Sequence, residues 1–244
     1  MKYIIPIIFI VFTANTHAGI FFKIANDNST YSTFIVKGQE NMEIQTHLMI
    51  KRMKDNYFNI SNVDTNFYQI TINRGTVLFN NKIIVYELIP TFNDRFKHVV
   101  WVTEDNVIVR KEVYDLKGKL MFSYGYVDEL PHIKQGHKSR KRTVDNNICS
   151  EIGEFIGFKV IGCRYLDEDT KHVVYSDGLN KFSIFIDEGA EEKINKKKVV
   201  LGNYVYRKSI GHNVYTAVGL IPFDTMDRVI KYINSKEEVN ETND

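Results

Sequence analysis

Between Lys97 and Asp128 the chain reads KHVVWVTEDNVIVRKEVYDLKGKLMFSYGYVD, runs of β-branched and aromatic residues cut by short polar breaks. Such side chains fit a pleated, half-buried surface, while Asp, Asn and Gly supply the backbone angles of tight turns. The pattern predicts an antiparallel meander with strands at His98–Thr103, Val107–Tyr114 and Lys119–Asp128. Its turns fall at Glu104-Asp105-Asn106 and Asp115-Leu116-Lys117-Gly118. A meander must bury one face, so the rest of the chain has to enlarge this sheet or cover it.

The residues before the meander read as more strand. YSTFIVKG (Tyr31–Gly38) is stopped by Gly, and Met42–Met53 alternates as a half-buried strand does. YFNISNV and FYQITINRGTVLF continue the pattern, with Asn73-Arg74-Gly75 as a hairpin turn. NNKIIVYELIP then ends at Pro90. A second series follows the meander: GFKVIGCRYL as a strand, EDTKHVVYSDGLNKFSIFIDE as a hairpin, and NYVYRKS with NVYTAVGLIP turning at Gly211-His212. In PFDTMDRVIKYINSK, Asp224 suits an N-cap, and Met226, Val229, Ile230 and Ile233 form one apolar helical stripe. The fold class is mainly β, with a terminal helix packed on the smaller sheet and a polar, frayed tail EEVNETND.

Between the two series lies LPHIKQGHKSRKRTVDNN, polar, basic and without periodicity, which reads as a linker between domains. Arg140, Lys141 and Arg142 in it are either a solvated tether or a contact for an acidic partner segment or anionic lipid head groups. Nucleic acid is not indicated. Lys and Arg total 32 against 30 Asp and Glu, so there is no global basic field, and no aromatics interleave with the linker cations.

The first residues, MKYIIPIIFIVFTANTHAG, place one charge before a short apolar run and then small residues at Thr16 and Ala18. This is the grammar of a cleaved secretory signal, with the mature chain expected from about Gly19, rather than of a membrane span. An oxidising compartment allows Cys149 and Cys163 to form a structural disulfide, with two buried thiols as the alternative.

Ser176-Asp177-Gly178 lies between Val173-Val174-Tyr175 and Phe182-Ser183-Ile184-Phe185-Ile186. A serine nucleophile would need Gly on both sides, a following helix and a histidine in reach. Here strand follows strand, and Gly178 supplies the positive φ of a hairpin turn. No metalloprotease, phosphate-loop, EF-hand or Rossmann motif is present. The chain is not expected to be an enzyme, and no cofactor or metal is called for.

In order along the chain, several stretches resemble the MucB/RseB family. These are HVVWVTEDNVIVRKEVYDLKGKLMFSYGYVD, EFIGFKVIGCRY, HVVYSDGLNKFSIFID with its Ser176-Asp177-Gly178-Leu179 turn, and GNYVYRKSIGHNVYTAVGLIPFDTMDRVIKYI. The resemblance covers about Lys97 to Ile233. It implies a signal peptide (1–18), a large domain (19–130) shaped as a half-open antiparallel β-barrel like the lipoprotein carriers, and a linker (131–147). A small C-terminal domain (148–235) and an acidic tail (236–244) complete the expected organisation. The implied role is that of a periplasmic regulator. Such a protein binds the periplasmic segment of a single-pass anti-sigma factor and shields it from proteolysis, and lipid or lipopolysaccharide and self-association are further partners. The rival reading is a periplasmic lipid or lipoprotein carrier with no such partner. Expected partner contacts are Arg140, Lys141 and Arg142 in the linker and Tyr204, Tyr206 and Arg207 in the small domain. The chain departs from the family in its short TFNDRF connection and in lacking a clear helix before YSTFIVKG, both where a lipid cavity would be built.

Overall fold

A computed structural model describes residues 19–25, 30–36, 57–127, 152–189 and 193–241. The signal segment, the Met42–Met53 stretch, the linker with Arg140, Lys141 and Arg142, and Cys149 lie outside the described residues.

The described chain forms two antiparallel sheets and a helix. The first sheet has seven strands: β1 (Gly19–Ala25), β2 (Thr30–Val36), β3 (Tyr68–Leu78), β4 (Asn81–Pro90), β5 (Lys97–Thr103), β6 (Ile108–Tyr114) and β7 (Leu120–Tyr126). Their order is β2-β1-β7-β6-β5-β4-β3, so β2 and β3 are free edges and the sheet is not closed. Six strands make the second: β8 (Lys159–Tyr165), β9 (Thr170–Ser176), β10 (Lys181–Asp187), β11 (Asn195–Val200), β12 (Asn203–Ile210) and β13 (Asn213–Gly219), in the order β11-β12-β13-β10-β9-β8. Helix α1 (Phe223–Glu241) closes the chain.

Each core follows from the period of its elements. In the large sheet, register places Phe22 beside Tyr124, Lys111 beside both Tyr124 and Val100, and Tyr86 beside Val100. Alternation sends Phe22, Ile24, Tyr68, Tyr86, Leu88, Val100 and Val102 to one buried face. In the small sheet, Tyr175, Phe182, Ile184, Tyr215 and Ala217 meet the helix stripe of Met226, Val229, Ile230 and Ile233, all fully buried. Polar atoms lock the helix in place: Tyr206 Oη donates to Asp227 Oδ1 at 3.0 Å, and Tyr215 Oη donates to Asn234 Oδ1 at 3.1 Å.

The structure corrects four sequence expectations. YFNISNV is not a strand: it holds a 3-10 turn at Ile60–Asn62, because Asn59 Oδ1 accepts from the Ser61 N–H at 3.0 Å and bends the chain. Asn73-Arg74-Gly75 is not the hairpin turn. Asn73 Oδ1 accepts from the Gly75 N–H at 2.9 Å within a bulge of β3, and the strand runs on to Leu78. The turn is Phe79-Asn80, with φ of 47° and 60°, a primed two-residue turn. Asp224 is not the N-cap, since α1 begins one residue earlier at Phe223 and Asp224 lies in its first turn. Strands β1 and β11 appear where none was expected. Gly19–Ala25 follows directly on the expected start of the mature chain, and the lysines of Asn195-Lys196-Lys197-Lys198 obscure a sheet-edge strand.

Candidate functional site

The turns at one end of the small sheet are driven into the large one. The β9–β10 turn is the Ser176-Asp177-Gly178-Leu179 stretch, a hairpin turn as its residues indicate. Ser176 Oγ accepts from the Gly178 N–H at 3.1 Å and donates to the Asn180 carbonyl at 2.9 Å, so that hydroxyl is occupied by its own turn. The neighbouring β11–β12 turn, Leu201-Gly202, docks the same way, and the Gly202 N–H donates to the Ala25 carbonyl at 2.9 Å. Leu179 and Leu201 pack against the core of the large sheet.

Asp177 organises this junction. Its Oδ2 accepts from Tyr68 Oη at 2.7 Å, Arg95 Nε at 3.0 Å and Asn180 Nδ2 at 3.1 Å. Its Oδ1 accepts from the N–H groups of Leu179 at 3.0 Å and Asn180 at 2.6 Å. Burial pushes the carboxyl up, but hydrogen bonds from Asn180, Tyr68 and Leu179 prevail and hold it below its usual range. Burial, and then the neighbouring Asp177 charge, drive the Tyr68 phenol up in turn.

Arg95 is the opposite pole, fully buried. Its guanidinium lies 3.9 Å from the Phe67 ring centre and 4.4 Å from that of Phe158. Nη1 donates to both Asp94 oxygens at 3.1 Å, and Nη2 donates to the Ile156 carbonyl. Thr225 Oγ1, in the first turn of α1, donates to the Asp94 carbonyl at 2.9 Å. Phe96 meets Tyr204 at 5.0 Å between ring centres. The short TFNDRF connection is therefore the bolt that joins the two sheets, contributing to the junction the Arg95–Asp177 ion pair, hydrogen bonds with Ile156 and Thr225, and ring contacts with Phe158 and Tyr204.

The network continues to His98, whose Nε2 lies 2.7 Å from Asn180 Oδ1. Because Asn180 Nδ2 donates to Asp177 and Tyr68, its oxygen must accept here, and His98 carries its proton on Nε2. Burial first, and then the charge of Lys111, lower the His98 pKa to about 3. Beside this polar plug, a cavity of about 540 Å³ opens between the sheets. Tyr57, Phe58, Ile108, Lys111, Phe122 and Tyr124 line it from the large side, and the two docked turns line it from the small side.

Gly178 must be glycine for two reasons. Its φ is +89°, and a Cβ would stand 2.3 Å from the Asn62 carbonyl oxygen. Gly178→Ala is expected to cost about 1–3 kcal/mol from backbone strain alone, more if the turn must lift off Asn62. Chemical denaturation of the variant beside wild type measures it.

The residues expected to meet a partner are dispersed. Tyr206 is buried under α1, its hydroxyl bonded to Asp227, so its side chain is spent on the core. Tyr204 is half-buried at the junction, against Phe96 and Phe223. Arg207 is exposed, beside Lys196 in register on the face of the small sheet turned away from α1. Cys163 is buried on β8. Sequence reasoning missed Tyr68, Asp94, Arg95, His98, Lys111 and Asn180. The one usable signal was an Asp-Arg pair flanked by Phe92 and Phe96 inside a short connection.

Among the described residues no group of three or more His, Cys, Asp or Glu could hold a metal, and no helix is long and apolar enough to cross a membrane. No curated protein sequence matches the chain. Among solved structures, the chain is similar to MucB in complex with MucA(peri), at 15% identity and a TM-score of 0.54, covering 87% of this chain and 91% of that one. It is similar also to the Pseudomonas aeruginosa MucA/MucB complex, at 14% identity and a TM-score of 0.53, covering 87% and 91%. Residues 156–234 match the family model of the MucB/RseB C-terminal domain, a span holding β8 to β13, the Asp177 turn and most of α1. The chain therefore carries a region matching the MucB/RseB C-terminal domain at residues 156–234, within a fold similar to that of MucB.

Proposed function

We propose that this protein is a non-catalytic periplasmic regulator that binds the periplasmic segment of a membrane-anchored anti-sigma factor and shields that segment from proteolysis. The observation that carries the reading is the likeness of fold to MucB, a protein solved together with MucA(peri). The chemistry of the small domain supports it. Lys196, Lys198 and Arg207 share one exposed face in register, and the linker adds Arg140, Lys141 and Arg142. Such cations steer and align an acidic segment, while apolar contacts supply most of the affinity.

Two measurements test the reading. Purified protein should slow cleavage of the anti-sigma periplasmic segment by its site-specific protease, in proportion to occupancy, and unchanged cleavage at saturation would exclude shielding. Replacing Arg140, Lys141 and Arg142 together with Ala should weaken binding roughly threefold to tenfold and flatten its salt dependence. If affinity and salt slope both stay at the wild-type values, the linker is a tether only.

A further inference from the structure

The cavity between the sheets contains a cation that the fold does not use. Lys111 lies half-buried on β6, opposite Val100 and Tyr124 in register, in a cavity wall it shares with His98, Phe58, Ile108 and Phe122. Among the described residues it makes no hydrogen bond and no ion pair. The acid whose charge reaches it, Asp177, already receives Arg95, Tyr68 and Asn180. Burial lowers the Lys111 pKa to about 8, which still leaves the ammonium charged at neutral pH. A half-buried ammonium that faces a cavity without a hydrogen-bond partner is satisfied by an anion brought in from outside.

We infer that this cavity is a binding site for a small organic carboxylate, its head on Lys111 and its apolar body against Phe58, Ile108, Phe122 and Tyr124. Charge and wall chemistry fix the class. Lys181 also lines the cavity but is engaged elsewhere, so Lys111 offers one cation to match one negative charge. Aromatic rings at Phe58, Phe122 and Tyr124 favour an aryl body through tilted and edge contacts. A volume of about 540 Å³ falls in the range of small-molecule pockets. Leu179 and Leu201 of the docked turns form the opposite wall, so a ligand here touches both sheets at once. The site goes beyond the regulatory reading and does not depend on it.

The test is isothermal titration of the full mature protein with phenylbutyrate, phenylbutanol and phenylbutylamine. These probes share one apolar body and carry an anionic, a neutral and a cationic head. The expected result is one saturable site for phenylbutyrate, with the alcohol and the amine each weaker by roughly tenfold or more. Lys111→Met should abolish the preference for the acid while keeping or raising the thermal midpoint, and Lys111→Arg should retain it. Equal binding of acid and alcohol, no saturable binding of the acid, or an undiminished preference in folded Lys111→Met would each overturn the assignment. Should Lys111→Met fail to fold, the three wild-type titrations decide alone.

Discussion

Asp177→Ala and Arg95→Ala are each expected to lower the free energy of unfolding by about 3–5 kcal/mol. Both groups are out of solvent, with side-chain exposures of 0% for Arg95 and 1% for Asp177. Removing Arg95 leaves the Asp177 and Asp94 carboxylates without their cation, and removing Asp177 leaves Arg95 with Asp94 alone; either costs more than the pair contributes when intact. Asp177→Ala also strips the acceptor from Tyr68 Oη, from Asn180 Nδ2 and from two turn amides. The double variant should cost less than the sum of the single ones, with about 1–3 kcal/mol of coupling for groups in direct contact. Urea titrations of the four proteins measure all three quantities. Single losses below about 1 kcal/mol would mean that the junction is not held by this pair.

Acid should weaken the same junction well above the range where carboxylates titrate. The unfolded chain protonates His98 near its ordinary pKa of 6.5, while burial and Lys111 keep the folded imidazole neutral down to about 3. Between those values the unfolded state binds more protons, so stability falls as pH falls, by up to about 1.4 kcal/mol per pH unit. Stability from this residue is whole above 6.5 and gone near 3. From pH 7 to pH 5 the expected loss is about 2 kcal/mol. His98→Leu should remove that slope, since no proton is then taken up on unfolding. The Asp177 carboxyl, held low in the fold, adds its own loss only below its ordinary value of 3.8. Unfolding curves at pH 7 and pH 5 for wild type and His98→Leu separate the two. An identical pH dependence in both would contradict the assignment of the slope to His98.

How much of this was legible beforehand depended on whether a signal was local. The strands of the meander, the Ser176-Asp177-Gly178 turn and the apolar stripe of α1 are set by period and turn chemistry within a few residues, and all three are where the sequence places them. Asn73-Arg74-Gly75 looks like a turn by the same rules. The next residues could continue the ladder past a bulge, so Phe79-Asn80 took the turn instead. The lysines of β11 hid a strand because the edge of a sheet tolerates charge where an interior position would not. The junction was illegible for a different reason. Tyr68 and Arg95 lie 109 and 82 positions from Asp177, and no local pattern announces that they meet. The TFNDRF connection, read as a family segment cut short, proved to be the element that carries Arg95 into that meeting.

The central claim is that this protein holds one membrane-anchored anti-sigma factor. The most direct test is to cross-link the tagged mature protein in its own cell envelope and identify what it captures by mass spectrometry. The account predicts enrichment of one single-pass protein with a short cytoplasmic sigma-binding domain. It also predicts that Asp177→Ala, which loosens the junction between the sheets, reduces that capture. Recovery of lipid and many lipoproteins, with no such single-pass partner, would contradict it.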